Sequence, residues 1–416
     1  MPEPTSDAWA GHGPGDPGFR RIGVALFLAG VSTFAGLYCT QPLLPTLSAA
    51  FDVSPGAAAL SVSVTTLALG AGLLLVGPLS EVRGRTWLIH GSLTASALVG
   101  LACAAAPSWH VLLVLRALQG LLLAGLPAVA TAYLREEVAT FAYARATGLY
   151  VGGTALGGMS GRLLAGGLAE VGGWRAAIAG VGVLGLVCAL TVLRLLPPSR
   201  GFVPAPASPR FLLGQLGRLM ADPVLLGLYA IGGTLMGAFV GVLNALGFRL
   251  EAAPYALGVG AAGLVYLVYP LGALGSALGG RLADRVGQRP VVPVAVAVMG
   301  LGILLTLAAP LPLVVCGVAV LTFGFFAAHG VASGWVAARA AVRGGTGQAA
   351  GLYLLAYYLG SSVAGTLAGG AWTGGGWSRV VQLTLGLTLV AGLLALALVP
   401  TRTLVPGPAR AVAPQS

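Results

Sequence analysis

The chain has 416 residues, 57% of them hydrophobic and 8% charged, against roughly 25% charged in an ordinary soluble domain. So few charges cannot cover a water-soluble protein of this length, which excludes a cytosolic enzyme, a secreted disulfide scaffold and a disordered chain. All 22 basic residues are arginine, and without lysine there is no Walker A phosphate loop and no retinal or pyridoxal Schiff base.

In chain order, residues 1–21 read as a disordered cytoplasmic tail rich in proline and glycine. A bilayer needs about 20 apolar residues per helix, and such stretches recur from there to the end. The first half, 22–196, holds spans at 22–44, 57–76, 87–106, 110–133, 143–167 and 175–196. A linker at 197–221, proline- and arginine-rich, follows; its segment Phe211–Met220 fits equally a helix lying flat on the inner leaflet or the first turn of the seventh span. The second half, 222–400, holds spans at 222–245, 257–278, 291–309, 313–337, 349–371 and 380–399, and 401–416 is a cytoplasmic tail. Turn chemistry at Asp52–Pro55, Ala106–Ser108, Gly172–Gly173 and Pro310–Pro312 separates the spans. Tyr269 before Pro270 marks a kinked eighth helix.

Charge sets the orientation. With both termini inside, only Arg175, Arg249 and Arg379 lie at the outer face, Arg116 and Arg162 fall within spans, and the other arginines are cytoplasmic. The net charge of +11 is therefore the positive-inside signal of a multi-pass protein, and nucleic acid is not expected as a partner.

A shift of 203 residues carries Gly77-Pro-Leu-Ser-Glu81 onto Gly280-Arg-Leu-Ala-Asp284, and Gly148-Leu-Tyr150 onto Gly351-Leu-Tyr353. It also carries Leu164–Gly167 onto Leu367–Gly370 and Gly173-Trp174 onto Gly376-Trp377. Six spans per repeat make the two halves parallel, giving an all-α polytopic protein of 12 transmembrane helices in two six-helix halves.

At these residues the chain resembles the major facilitator superfamily. The loop Gly280–Arg289 carries nearly all of that family's Gly-x-Leu-x-Asp-Arg-x-Gly-x-Arg pattern, and its first-half copy has Glu81, Val82 and Thr86 in place of three members. The fourth-helix pattern stands as Arg116-Ala-Leu-Gln119-Gly120. The glycine pattern of drug–proton antiporters is weaker at Gly153–Arg162, lacking its proline. Leu37–Pro42, Gly157–Leu163, Phe325–His329 and Tyr357–Thr366 are similar to the YnfM-like branch of bacterial inner-membrane transporters. The resemblance implies an inner-membrane exporter of a small organic molecule, working as a monomer, rocking one half against the other and driven by protons. It further implies that Gly77, Glu81, Gly84 and Arg85, with Gly280, Asp284, Arg285, Gly287 and Arg289, shut the cytoplasmic face in one state. The plainer reading of these charges is positive-inside charge with solvated partners.

A charge in mid-bilayer costs at least ~2.5 kcal/mol, so residues inside the spans are the substrate-binding candidates. They are Tyr38, Gln41, Arg116, Gln119, Arg162, Asn244, His329, Trp335 and Tyr357. Arg116 and Arg162 on neighbouring helices would form one positive site, favouring an anionic or polyhydroxylated solute; alternatively Arg162 snorkels to the outer interface. Gln41 and Asn244 also suit turn positions, and His329 suits either a coupling proton or hydrogen-bonded packing. Every carboxylate falls in a tail, a loop or a helix end, a departure from carriers that take their proton on a buried acid. The four cysteines lack metal spacing, no paired acid–base groups point to an enzyme, and no cofactor is expected. A non-coupled facilitator or importer, and a non-transporting sensor on a carrier scaffold, are the alternative readings.

Overall fold

The computed structural model describes residues 9–204 and 209–400. The first crossing is α1 (Pro17–Tyr38) and α2 (Leu44–Phe51), joined through a 3-10 turn at Gln41–Leu43. Pro42 and Pro45 bring no N–H to the ladder, so the helix loosens there. The next two crossings are α3 (Pro55–Arg83) and α4 (Arg85–Ala104). The fourth is α5 (Trp109–Leu123) with α6 (Gly125–Glu137), interrupted just before Pro127. The single helix α7 (Tyr143–Leu195) contains the fifth and sixth crossings, bent at Gly173, whose φ is 71°.

After the linker helix α8 (Pro209–Met220), α9 (Pro223–Glu251) is the seventh crossing. The eighth is α10 (Val259–Gly263), a 3-10 turn at Leu264–Val268, and α11 (Tyr269–Val286), so the break falls at Tyr269-Pro270 as the sequence predicts. Then come α12 (Gln288–Leu305), α13 (Leu311–Arg343), and α14 (Thr346–Leu398), which folds back at Gly375–Gly376. Among the described residues, ten helical stretches are long and apolar enough to cross a membrane. Two of them, α7 and α14, run 53 residues and double back, which yields the twelve crossings.

The caps follow the residues. Ser54 and Ser108 accept the Ala57 and Val111 amides at 3.2 and 3.4 Å, and Asp222 accepts Val224 and Leu225 at 2.9 and 3.3 Å. The repeat is visible in the backbone. Gly84 and Gly287 have φ of 89° and 87°, and Gly173 and Gly376 have 71° and 62°, conformations that glycine adopts without a Cβ penalty.

One boundary differs from expectation, and one open reading is resolved. The tail expected to be disordered through residue 21 is ordered from residue 9, because α1 starts at Pro17 and His12 pairs through its backbone with Glu137 and Ala139. Residues 1–8 and 401–416 of the two tails lie outside the described residues. The linker segment that fitted two readings is a helix separate from the seventh crossing, since α8 ends at Met220 and Asp222 starts α9.

The halves meet where α3 packs on α14, α7 on α10, and the end of the first crossing on α9. Hydrogen bonds join them away from the arginine-rich loops: Ser63–Thr366 and Thr66–Ser362, both 2.9 Å, Gln41 to Asn244 at 2.7 Å, and Gly260 N–H to Glu170 at 2.8 Å. Down α3 the packing continues past Gly70, where an added Cβ would touch Tyr358 at 3.1 Å, to Leu74, 3.8 Å from a Cβ added at Gly351; at Gly77 and at Gly347 an added Cβ would meet nothing within 4 Å. Hydrogen bonds thus tie the halves toward the far face, and α3 and α14 part in their end turns at the arginine-rich face.

Candidate transport site

Where the first helix loosens, carbonyls of its last turn lose their amide partners, and Arg116 on α5 supplies new ones. It donates from Nη1 to Gly36 O (2.8 Å), from Nη2 to Leu37 O (2.7 Å) and from Nε to Ser61 O (3.0 Å), and Nη1 also reaches Gln119 Oε1 (2.6 Å). Gln119 then donates to Ser96 O at 3.2 Å. Arg116 is 0% exposed. A cation at the C-terminal end of a helix also meets the negative end of its dipole. These two residues lie within the first half, away from its interface with the second.

Arg162 on α7 faces that interface. Its Nε donates to Gln41 Oε1 (2.6 Å) and its Nη1 to Gly158 O (2.5 Å). Its guanidinium lies 4.3 Å from the ring centre of Tyr38, 4.8 Å from Tyr269 and 5.1 Å from Tyr266. Gln41 passes the chain on, donating to Asn244 Oδ1 across the interface. Arg162 and Arg116 thus do not form the single positive site expected of them: one serves the backbone inside the first half, the other a cage of tyrosines between the halves.

The second half turns an aromatic wall toward this point. Phe239 stacks on Phe325 with centroids 4.1 Å apart, and Phe325 lies parallel to His329. His329 Nδ1 sits 2.9 Å from the Tyr353 hydroxyl, and its ring is 4.8 Å from Tyr357. Trp335 lies apart from these rings, lining a cleft of about 490 Å³ at the arginine-rich mouth with Asp284, Gln288, Arg289 and Arg339.

The two loops at that mouth differ. In the first, Arg85 is buried, pairs with Glu81 (2.9 Å) and Glu136 (3.0 Å), and donates to Ser80 Oγ. In the second, Gln288 stands where the repeat has Arg85, and Asp284 is exposed without an ion pair among the described residues. Arg339 pairs instead with Asp222 at 3.0 Å. Burial pushes the Asp222 carboxyl up, but hydrogen bonds from Arg339 and from the Leu225 and Val224 amides, with the Arg339 charge, outweigh it and hold it below the usual carboxylate range.

The family model described as Major Facilitator Superfamily matches residues 26–274. The chain belongs to the major facilitator superfamily. It is 40% identical over 381 residues to the uncharacterized MFS-type transporter YybF of Bacillus subtilis, covering 91% of this chain and 93% of that one. It is 41% identical over 355 residues to the inner membrane transport protein YnfM of Escherichia coli, covering 85% of each. Its fold matches the crystal structure of a bacterial homologue of the human lysosomal transporter Spinster with a TM-score of 0.73, at 16% identity over 91% of this chain and 96% of that one.

In this superfamily member the structure brings Tyr38, Gln41, Arg162, Asn244, His329 and Tyr357 to the interface between the halves, and leaves Arg116, Gln119 and Trp335 away from it. Sequence reasoning missed Tyr266 and took Tyr269 only as the mark of a kink. The 203-residue shift held the signal: it carries Ser63 and Thr66, on the interface face of α3, onto Tyr266 and Tyr269.

Proposed function

We propose that this facilitator is a secondary transporter that carries a small organic solute across the bacterial inner membrane by alternating access. The arginine-rich face and both termini are then cytoplasmic, as the positive-inside distribution indicates. The observation carrying this reading is the asymmetry of the interface: hydrogen bonds close the far face, the arginine-rich face is parted, and Arg162 with its tyrosines lies between. A bundle in which one half rocks against the other needs such one-sided closure. The two glycine-turned loops, with Glu81, Arg85 and Asp284, act as the gate of the inner face.

Export against protons is supported by the resemblance of Gly153–Arg162 to the antiporter glycine pattern. An uncoupled facilitator of an anionic or polyhydroxylated solute is favoured by a different observation: the cation at the interface has no carboxylate partner among the described residues. Purified protein in liposomes, screened for solutes that raise its melting temperature and then assayed for flux with and without an imposed pH gradient, separates the two. Flux that follows the gradient supports antiport, and flux that ignores it supports the facilitator. Binding without flux in either condition overturns transport altogether.

A further inference from the structure

We infer that Arg162 and Asn244 receive the carboxylate of an aromatic acid; this rests on the reading of the interface as the transport site. Arg162 is 1% exposed, yet among the described residues its Nη2 has no acceptor and no carboxylate comes within ion-pairing distance. A buried cation without a counter-charge is costly to desolvate, and the rings of Tyr38, Tyr266 and Tyr269 offset only part of that cost.

Helix packing alone does not ask for it. The repeat carries Arg162 onto Gly365, Tyr266 onto Ser63 and Tyr269 onto Thr66. At that related place α3 and α14 are held by Ser63–Thr366 and Thr66–Ser362 hydrogen bonds with no charge at all. The fold therefore closes the same helix pair without a cation, and the cation and its rings were placed on one side only.

The polarity of the hydrogen bonds says what is lacking. Arginine only donates, so the Gln41 atom facing it is the carbonyl oxygen, and the Gln41 amide nitrogen must face an oxygen of Asn244. Asn244 is left presenting its NH2; it is 1% exposed, and its Nδ2 has no partner. Asn244 Nδ2 is thus a buried donor without a partner, and Arg162 is a cation without a carboxylate among the described residues; an anionic oxygen acceptor answers both. On the second half, His329, only half-buried, and Tyr357 present ring faces on which an aromatic ring can stack.

The test uses the purified full chain, with benzoate, its neutral isostere benzamide, benzyltrimethylammonium and gluconate as probes in thermal-shift and calorimetric binding. Benzoate is expected to bind at least tenfold more tightly than the other three. Arg162→Gln is expected to abolish that preference while keeping the melting temperature, and Asn244→Asp to weaken benzoate at least tenfold by adding like charge. Equal binding of benzamide, preference for the cation or gluconate, or an Arg162→Gln protein that still prefers benzoate overturns the inference. So does a protein that binds no benzoate at all. If Arg162→Gln fails to fold, the benzoate–benzamide comparison on the unaltered chain and the Arg162→Lys variant, expected to retain part of the preference, decide. Counterflow of labelled 4-hydroxybenzoate in liposomes separates the two levels: binding without counterflow sinks transport and leaves the substrate class standing, whereas flux of a different solute class does the reverse.

Discussion

Gln41 and Asn244 are the same position in the two repeats, and they hydrogen bond to each other at 2.7 Å across the interface between the halves. A contact between repeat-related residues lies on the pseudo-twofold axis along the membrane normal; this one sits toward the far face, so in the alternating access proposed it is broken when that face opens. Replacing Asn244 by Ala removes one amide hydrogen bond, worth about 1 kcal/mol net, and is expected to raise the population open at the far face several-fold. Labelling of a cysteine introduced near Gly56 reads this. Gln41→Ala also strands the Arg162 Nε and is expected to have the larger effect. Unchanged labelling in both variants would show that the contact is not part of the closure.

Arg116 calls for a different outcome. Its loss leaves the Leu37 carbonyl without that donor and the Gly36 carbonyl with only the Cys39 thiol, while Ser61 O keeps the Thr65 hydroxyl; each buried group left unsatisfied costs roughly 1–3 kcal/mol. Arg116→Ala is expected to lower the melting temperature in detergent by many degrees. Arg116→Lys does little better, because one ammonium cannot reach three separated carbonyls in the plane of a guanidinium. Solute affinity of the protein that remains folded is expected to be unchanged. A stable Arg116→Ala protein that has lost binding would return this residue to the transport site.

These two arginines show how far the sequence can be read. The number of crossings, the parallel repeat and the glycine turns at Gly84, Gly173, Gly287 and Gly376 were legible, because apolar length and φ above zero each leave a residue-level mark. The break at Pro42 was not foreseen, and with it the demand for donors that Arg116 meets. Which way Arg116 and Arg162 point was also hidden. A helix apolar on every face has no stripe to tell lipid from neighbour, so depth could be counted but direction could not. Tyr266 was missed for the same reason, although the repeat relates it to Ser63.

The Asp222–Arg339 pair gives the seventh crossing a pH dependence. The folded carboxyl titrates below its ordinary value, near about 3.9, so the stabilisation is full above that value and is lost as pH falls through the lower, folded one. The melting temperature is therefore expected to drop on acidification below about pH 4, the ordinary carboxylate range. Asp222→Asn keeps an N-cap side chain but loses the ion pair. It is expected to start lower at neutral pH and to show a shallower acid drop. A parallel drop in both proteins would assign the acid lability to other groups.

Asp284 offers the test of the gate proposed at the arginine-rich face. In the first loop the corresponding Glu81 is engaged by Arg85, which also holds Glu136 within the same half. In the second loop glutamine at 288 removes that internal partner, and Arg339 has turned to Asp222. Asp284 is thereby left at the parted face without an ion pair among the described residues. In the alternating access proposed, arginines of the first half approach it when that face closes, so its interaction is made in the closed form and absent in the open one. Removing a contact present in only one of two states shifts the equilibrium toward the other by the energy of that contact. Asp284→Ala is therefore expected to leave the melting temperature unchanged and to raise the population parted at the arginine-rich face. Increased labelling of a cysteine at Gly77 from that side is the readout. Glu81→Ala, by contrast, is expected to lower stability, since its partner Arg85 is buried in this state. Labelling at Gly77 unaltered by Asp284→Ala would mean that the acid is merely solvated and that the gate closes without it.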